Sequence, residues 1–131
     1  MGGVERTEER KCFAVAVKKR NGPTLTNVIR QYVLPGSIVY TDLWRGYNAI
    51  PSDLDLEHLT VNHSKYFKDP VTGVHTNTIE GTWNGMKRGI PERNQHSGRV
   101  GNHIAEFIWR RQVKGNEWEK LLQCMRNTAL N

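Results

Sequence analysis

Apolar residues along this chain fall into short clusters whose spacing switches repeatedly between strand-like and helix-like. "KCFAVAVKK" (11–19) alternates poorly, but it is apolar and β-branched and is bounded by charge and by "NGP" at 21–23. It is expected to be a buried strand. "GGVER" before it reads as the tail of a hairpin partner, with "TEER" as the turn. Thr24 is the expected N-cap of a helix over 25–34, in which Leu25, Val28, Ile29, Tyr32 and Val33 share one face. "PG" at 35–36 ends it.

"SIVYTD" (37–42) reads as a buried strand closing on an acid, and "LWRGYNAI" (43–50) as a short helix that Trp44 and Tyr47 pack. A strand follows at 58–63, then a loop over 64–76 with turn signals at Asp69-Pro70 and Thr72-Gly73. A helix over 77–90, a polar link over 91–102 and two helices over 103–113 and 116–126 complete the order. Ile104, Phe107 and Ile108 have the spacing of core positions on the first of these two. Strands alternating with helices predict an α/β arrangement, a mixed sheet covered by helices. The length of 131 residues predicts one domain, 1–131.

The helix over 77–90 carries the first hint of chemistry. At about 100° per residue, Ile79, Trp83, Met86 and Ile90 form an apolar arc. Asn77, Glu80, Asn84 and Lys87 form a polar edge beside that arc instead of opposite it. Gly81 and Gly85 flank the edge, and each costs about 1 kcal/mol relative to Ala inside a helix. Open backbone there is expected to serve close approach of a ligand. A solvated boundary face is the plainer account of Glu80 and Lys87, which stand too far apart for an i,i+4 pair.

Asp42 alters that balance, because α/β sheets place their sites at the C-terminal ends of strands. Its plainer role is to cap the short helix that follows. Should Asp42 and Glu80 converge, two carboxylates with Asn77 and Lys87 form a hard-oxygen site suited to Mg²⁺ or Mn²⁺, with Lys87 as a point charge for phosphate.

Composition adds a partner. The net charge is +6, and residues 85–131 hold nine Lys/Arg against four Asp/Glu, while residues 1–84 hold ten against nine. A basic C-terminal third is the electrostatic footprint of a polyanion such as DNA, or simply a solvated face. In "EFIWRRQ" (106–112), Arg110 and Arg111 are candidate DNA contacts. No apolar run approaches the roughly 20 residues that cross a bilayer, and the N-terminus lacks the order of a secretory signal. Cys12 and Cys124 show no pairing pattern and read as free buried thiols. His63 and His75 bracket the loop before the helix; zinc would show Cys/His pairs at close spacing, so hydrogen bonding is their expected role.

Three longer segments, "VLPGSIVYTDLWRGYNAI", "HLTVNHSKYFKDPVTGVHTNTIEGTWNGMKRGIP" and "HIAEFIWRRQ", resemble the DDE transposases of the Merlin group and their bacterial insertion-sequence relatives with the ISXO-like transposase domain. The resemblance covers residues 2–123, nearly the whole chain. It implies a ribonuclease-H-like fold of the retroviral-integrase type, a central mixed sheet with flanking helices. It also implies DNA transposition by metal-dependent strand cleavage and transfer, with two Mg²⁺ or Mn²⁺ ions held by three side chains.

Asp42 matches the second ligand of that family and "NTIE" the third, through either Glu80 or Asn77; Lys87 matches the basic residue beyond it, followed here by Arg88. The family's first Asp lies on a strand preceding the segment that "GGVER" resembles. The expectation is therefore a partial catalytic domain with its first strand missing, an incomplete two-ion site and little activity by itself. Transposon-end and target DNA are the implied partners, with a second copy of the chain as a further candidate, in a nucleus or in bacterial cytoplasm and nucleoid, not in secretion. A non-catalytic DNA-binding or assembly module is the alternative, and a stand-alone nuclease using Asp42 and Glu80 a third.

Overall fold

The computed structural model describes residues 1–50, 54–94 and 98–129. Of the expected polar link, residues 95–97 fall outside the described residues, and the rest contains a 3-10 turn at Glu92–Asn94. Strands β1 (Gly2–Val4) and β2 (Cys12–Ala14) pair antiparallel, Gly3 opposite Phe13, as the hairpin reading expected. Helix α1 covers Gly22–Tyr32. Strands β3 (Ile38–Asp42) and β4 (Glu57–Val61) run parallel, with Tyr40 opposite Leu59 and Asp42 opposite Val61. Helices α2 (Asn77–Gly89), α3 (Val100–Gln112) and α4 (Glu117–Ala129) follow.

The architecture is mixed α/β. Among the described residues, however, the strands form two separate two-stranded ladders, not one continuous central sheet. Each strand is short and only half-buried in the main, which corrects the reading of 11–19 and 37–42 as buried strands: only Cys12–Ala14 pairs in the first, and Ile38 is 57% exposed in the second. A two-stranded ladder has two edges and covers little of its own apolar surface. The buried apolar side chains instead come from several elements: Leu25 and Ile29 of α1, Ile50, Val61 of β4, Val74 of the following loop, and Met86 and Ile90 at the end of α2.

Two close approaches fix how the elements sit. The Trp83 indole of α2 lies on Gly2, where any Cβ would come within 2.7 Å of the ring. The Trp44 ring covers Gly46, so tightly that a side chain there has no room, and Trp44 meets Tyr47 edge-on at 5.5 Å. That aromatic pair packs the 3-10 turn Arg45–Tyr47 as expected, and the Arg20 guanidinium lies 4.5 Å from the centre of the Trp44 ring. Phe13 of β2 stacks on Tyr32 of α1 at 4.7 Å, joining the hairpin to the first helix.

Several local expectations shift. The cap of α1 is Asn21, not Thr24: the Asn21 carboxamide oxygen accepts the Thr24 N–H at 3.1 Å, and Pro23 occupies the first turn, where a missing N–H costs nothing. Ile104, Phe107 and Ile108 are half-buried, because α3 is covered on one side only, by α2 and β2. At Gly85 a Cβ would stand 3.9 Å from the Phe107 ring, an ordinary van der Waals contact, while at Gly81 it would meet nothing within 4 Å. Cys12 is half-buried, and burial pushes its thiol pKa up. Cys124 is exposed on α4, against the reading of two buried thiols, because no element packs extensively on that helix among the described residues.

The cap assignment has a direct consequence. Asn21→Ala is expected to cost about 1 kcal/mol of stability in urea unfolding, while Thr24→Ala is near neutral; equal losses would return the cap to Thr24.

Candidate functional site

The parallel ladder ends with Asp42 and Val61 side by side, and the chain beyond Val61 turns towards the start of α2. His63, two residues past β4, hydrogen-bonds through Nε2 to the hydroxyl of Thr76, the residue before α2. That hydroxyl donates in turn to Glu80 Oε1 at 2.6 Å. A hydroxyl has one proton to give, so His63 must be the donor to Thr76, which fixes its proton on Nε2. The result is a directed chain, imidazole to hydroxyl to carboxylate, with His63 Nε2 itself 3.5 Å from Glu80 Oε1. Thr76 therefore stands at the N-cap position of α2 without capping it.

A second line of contacts reaches the same end of the ladder from the β1–β2 turn. Arg6 donates to His75 Nε2 at 3.0 Å, and its guanidinium lies 5.0 Å from the centre of the Tyr40 ring on β3. Arginine has no acceptor atom, so His75 Nε2 carries the lone pair and its proton sits on Nδ1. That Nδ1 is buried and, among the described residues, has no hydrogen-bond partner, and the same holds for Asn77 Oδ1. One is a donor and the other an acceptor, two residues apart. Unmet hydrogen-bonding capacity of this kind is costly unless water or a ligand supplies the partner.

Asp42 belongs to a different set of neighbours. Its Oδ1 accepts the Trp44 N–H at 3.0 Å, just ahead of the 3-10 turn; Trp44 itself holds the N-cap position there and no side chain caps it, so the capping role weighed from sequence is not the one Asp42 takes. Its charge, after burial, helps raise the pKa of Tyr47, against which Arg20 acts. Beside it the Thr41 hydroxyl donates to the Asp42 carbonyl at 2.7 Å and accepts from His58 Nε2 at 2.8 Å. Burial holds the pKa of His58 below its usual value. Asp42 and Glu80 thus flank one end of the ladder, each within its own hydrogen-bonding set; among the described residues no hydrogen bond or ion pair joins them.

The cations divide as clearly. Asn84, Lys87 and Arg88 line an open hollow of about 400 Å³ at the far end of α2. Lys87 and Arg88 are exposed in the last turn, where they also complement the negative end of the helix dipole. Arg110 is paired with Glu106 at 2.9 Å, one turn away on α3. Arg111 donates to the Arg10 carbonyl at 3.3 Å and so ties α3 to the hairpin turn.

The metal chemistry implied by the resemblance can be set against these atoms. Asp42, Glu80 and the partnerless Asn77 Oδ1 are hard-oxygen donors of the type Mg²⁺ prefers. Among the described residues, however, no three His, Cys, Asp or Glu side chains gather where they could hold an ion. Two divalent ions bring four positive charges, against two carboxylates here. The described residues do not fit a two-ion centre by themselves.

Arg6, Tyr40 and Thr76 were not singled out from sequence. Thr76 had a signal, a hydroxyl four residues ahead of an acid at a helix start. Arg6 had none, because its contact with His75 spans 69 positions of the chain.

Partial burial first, then the positive charges of Arg6 and Lys68, hold the His75 pKa below its usual value, while Glu80 pulls the other way. Folding is then favoured with His75 neutral. Its contribution is complete above the unfolded value near 6.5 and declines as pH falls below it, where the unfolded chain takes up the proton more readily. In an NMR titration, Arg6→Gln is expected to move the His75 midpoint upwards; an unchanged midpoint would separate Arg6 from His75 in solution.

Comparison with known proteins shows the family of the chain. An uncharacterized transposase-like protein of Haemophilus influenzae is 34% identical over 84 residues, which cover 64% of this chain and 66% of that protein. No solved structure matches the chain. Residues 1–112, containing both ladders, α2 and α3, match the ISXO2-like transposase domain, and the chain belongs to that family.

Proposed function

We propose that this chain works in DNA transposition by holding DNA along α2, and that alone it binds DNA without cutting it. The observation that carries the reading is the arrangement of that helix. Its first turn bears Asn77 and Glu80, at the end of the ladder where Asp42 lies, and its last turn presents Lys87 and Arg88 beside an open hollow. Seven residues of helix place Glu80 and Lys87 about 10 Å apart along the axis. Phosphates engaged by the basic end would therefore run past the acidic one. Arg110 adds an exposed charge on the neighbouring helix, in part offset by Glu106.

A ribonuclease-H-like arrangement is supported by the parallel β3–β4 ladder ending at Asp42 and by the acid-bearing helix arriving at the same end. Asp42, Glu80 and Asn77 are the oxygen donors this end offers to Mg²⁺ or Mn²⁺. Strand cleavage through two ions demands further negative ligands beyond them, and for that reason binding, not cleavage, is the activity assigned to these residues. A DNA partner places the work in bacterial cytoplasm and nucleoid, or in a nucleus if the host is eukaryotic.

Fluorescence anisotropy with duplex DNA across a salt series tests the binding. Removing one cation that neutralises a phosphate should flatten the log–log salt slope by about 0.9. Lys87→Ala with Arg88→Ala is therefore expected to flatten it by about 1.8 and to weaken binding to all sequences alike. An unaltered slope would remove α2 from the interface. A nicking assay with Mn²⁺ is expected to give no product; product that disappears in Asp42→Asn and Glu80→Gln would establish a working metal centre and overturn the non-cutting assignment.

A further inference from the structure

Helix α4 carries an apolar stripe that nothing in the described protomer covers. Trp118, Leu121 and Met125 are 71%, 42% and 60% exposed, and Leu122 is half-buried. These positions, i, i+3, i+4 and i+7, lie along one face of an ideal helix. None of the described side chains of α4 is buried, whereas α2 and α3 pack against each other and against the hairpin. A Trp, a Leu and a Met left in water on consecutive turns are unfavourable unless a partner removes them.

The charges beside the stripe select the partner. Glu119 and Arg126 are seven residues apart, so both lie on the same flank, one towards each end of the stripe. Both are exposed, and among the described residues neither is ion-paired. Glu117, on the opposite flank, is already engaged at the helix start, where its carboxylate accepts the Gly115 N–H at 3.1 Å. In an antiparallel pair of identical helices, like flanks meet. Glu119 of each copy then lies alongside Arg126 of the other, and two-fold symmetry makes the pair twice. A parallel pair would set Glu119 beside the flank of Glu117 and Cys124, with no cation to meet it. Antiparallel pairing also opposes the helix dipoles favourably and brings Leu121 and Leu122 to the two-fold axis, with each Trp118 towards the Met125 end of its partner.

We propose that α4 is a self-association surface through which a second copy of this chain pairs antiparallel, burying Trp118, Leu121, Leu122 and Met125 and exchanging the Glu119 and Arg126 charges. Sedimentation equilibrium on the full chain tests it. The wild type is expected to dimerise reversibly, and Leu121→Glu to abolish the dimer. Glu119→Arg alone and Arg126→Glu alone should each weaken dimerisation about fivefold or more, because each sets two like-charged pairs against one another. The double variant should restore it. The charge variants change only exposed positions, and unchanged far-UV circular dichroism keeps a lost dimer distinct from a lost fold. A wild type that stays monomeric at several hundred micromolar would overturn the proposal, whether α4 then meets another protein or a further part of a longer chain. A dimer indifferent to Leu121→Glu, or a double variant that fails to restore it, would overturn it equally.

Discussion

The start of α2 is held by a single hydroxyl group. Thr76 accepts a hydrogen bond from His63, just beyond β4, and donates one to Glu80, one turn into the helix. Much else is arranged around that link. The parallel ladder supplies His63 at its C-terminal end, and the long loop between β4 and α2 is drawn back so that Val74 is buried while the His75 ring meets Arg6. A carboxylate that would otherwise rotate freely in water is given a fixed donor and a neighbouring imidazole. Because the basic end of the same rigid helix is two turns away, fixing Glu80 also fixes where Lys87 and Arg88 are presented.

Much of this was legible in the residues. The run from Asn77 to Ile90 has an unbroken helical period, and the helix ends within one residue of the expected place. The hairpin of "GGVER" on "KCFAV" was readable from charge and turn residues. What failed was what depends on contacts far apart in the chain. Whether a strand is buried is decided by what covers it, and among the described residues neither ladder has the neighbours that would bury 11–19 or 37–42. The cap of α1 was displaced because Pro23 tolerates the first helical turn, allowing the helix to begin at Gly22, three residues before the expected start at Leu25. The open edge attributed to Gly85 is bordered by a ring from α3 at ordinary contact distance, while Gly81 is open as expected. Of the site residues, Asp42, Asn77, Glu80 and Lys87 were visible as types in a pattern, but Arg6 lay in a stretch that reads locally as nothing more than a charged turn.

The two acids show how a shared location differs from a shared task. Asp42 closes its strand and holds the Trp44 N–H, while Glu80 terminates a hydrogen-bonded chain. Each carboxylate already has a structural role, so an arriving cation would have to compete with a donor the fold provides. Asn77 Oδ1 and His75 Nδ1 stand the other way round, enclosed and, among the described residues, without partners. Unmet polar capacity of that sort has no protein donor or acceptor to displace before an incoming partner such as water engages it.

Gly2 gives the hairpin a mechanical meaning. With only a hydrogen at that position, the Trp83 ring rests directly on the strand and acts as a key that fixes the rotation of the long helix about its own axis. A methyl group there would be a wedge under one side of a roller. Helix and cargo would turn together, swinging the acid at one end and the two cations at the other by the same angle. A residue with no side chain thus sets the aim of both ends of the helix at once.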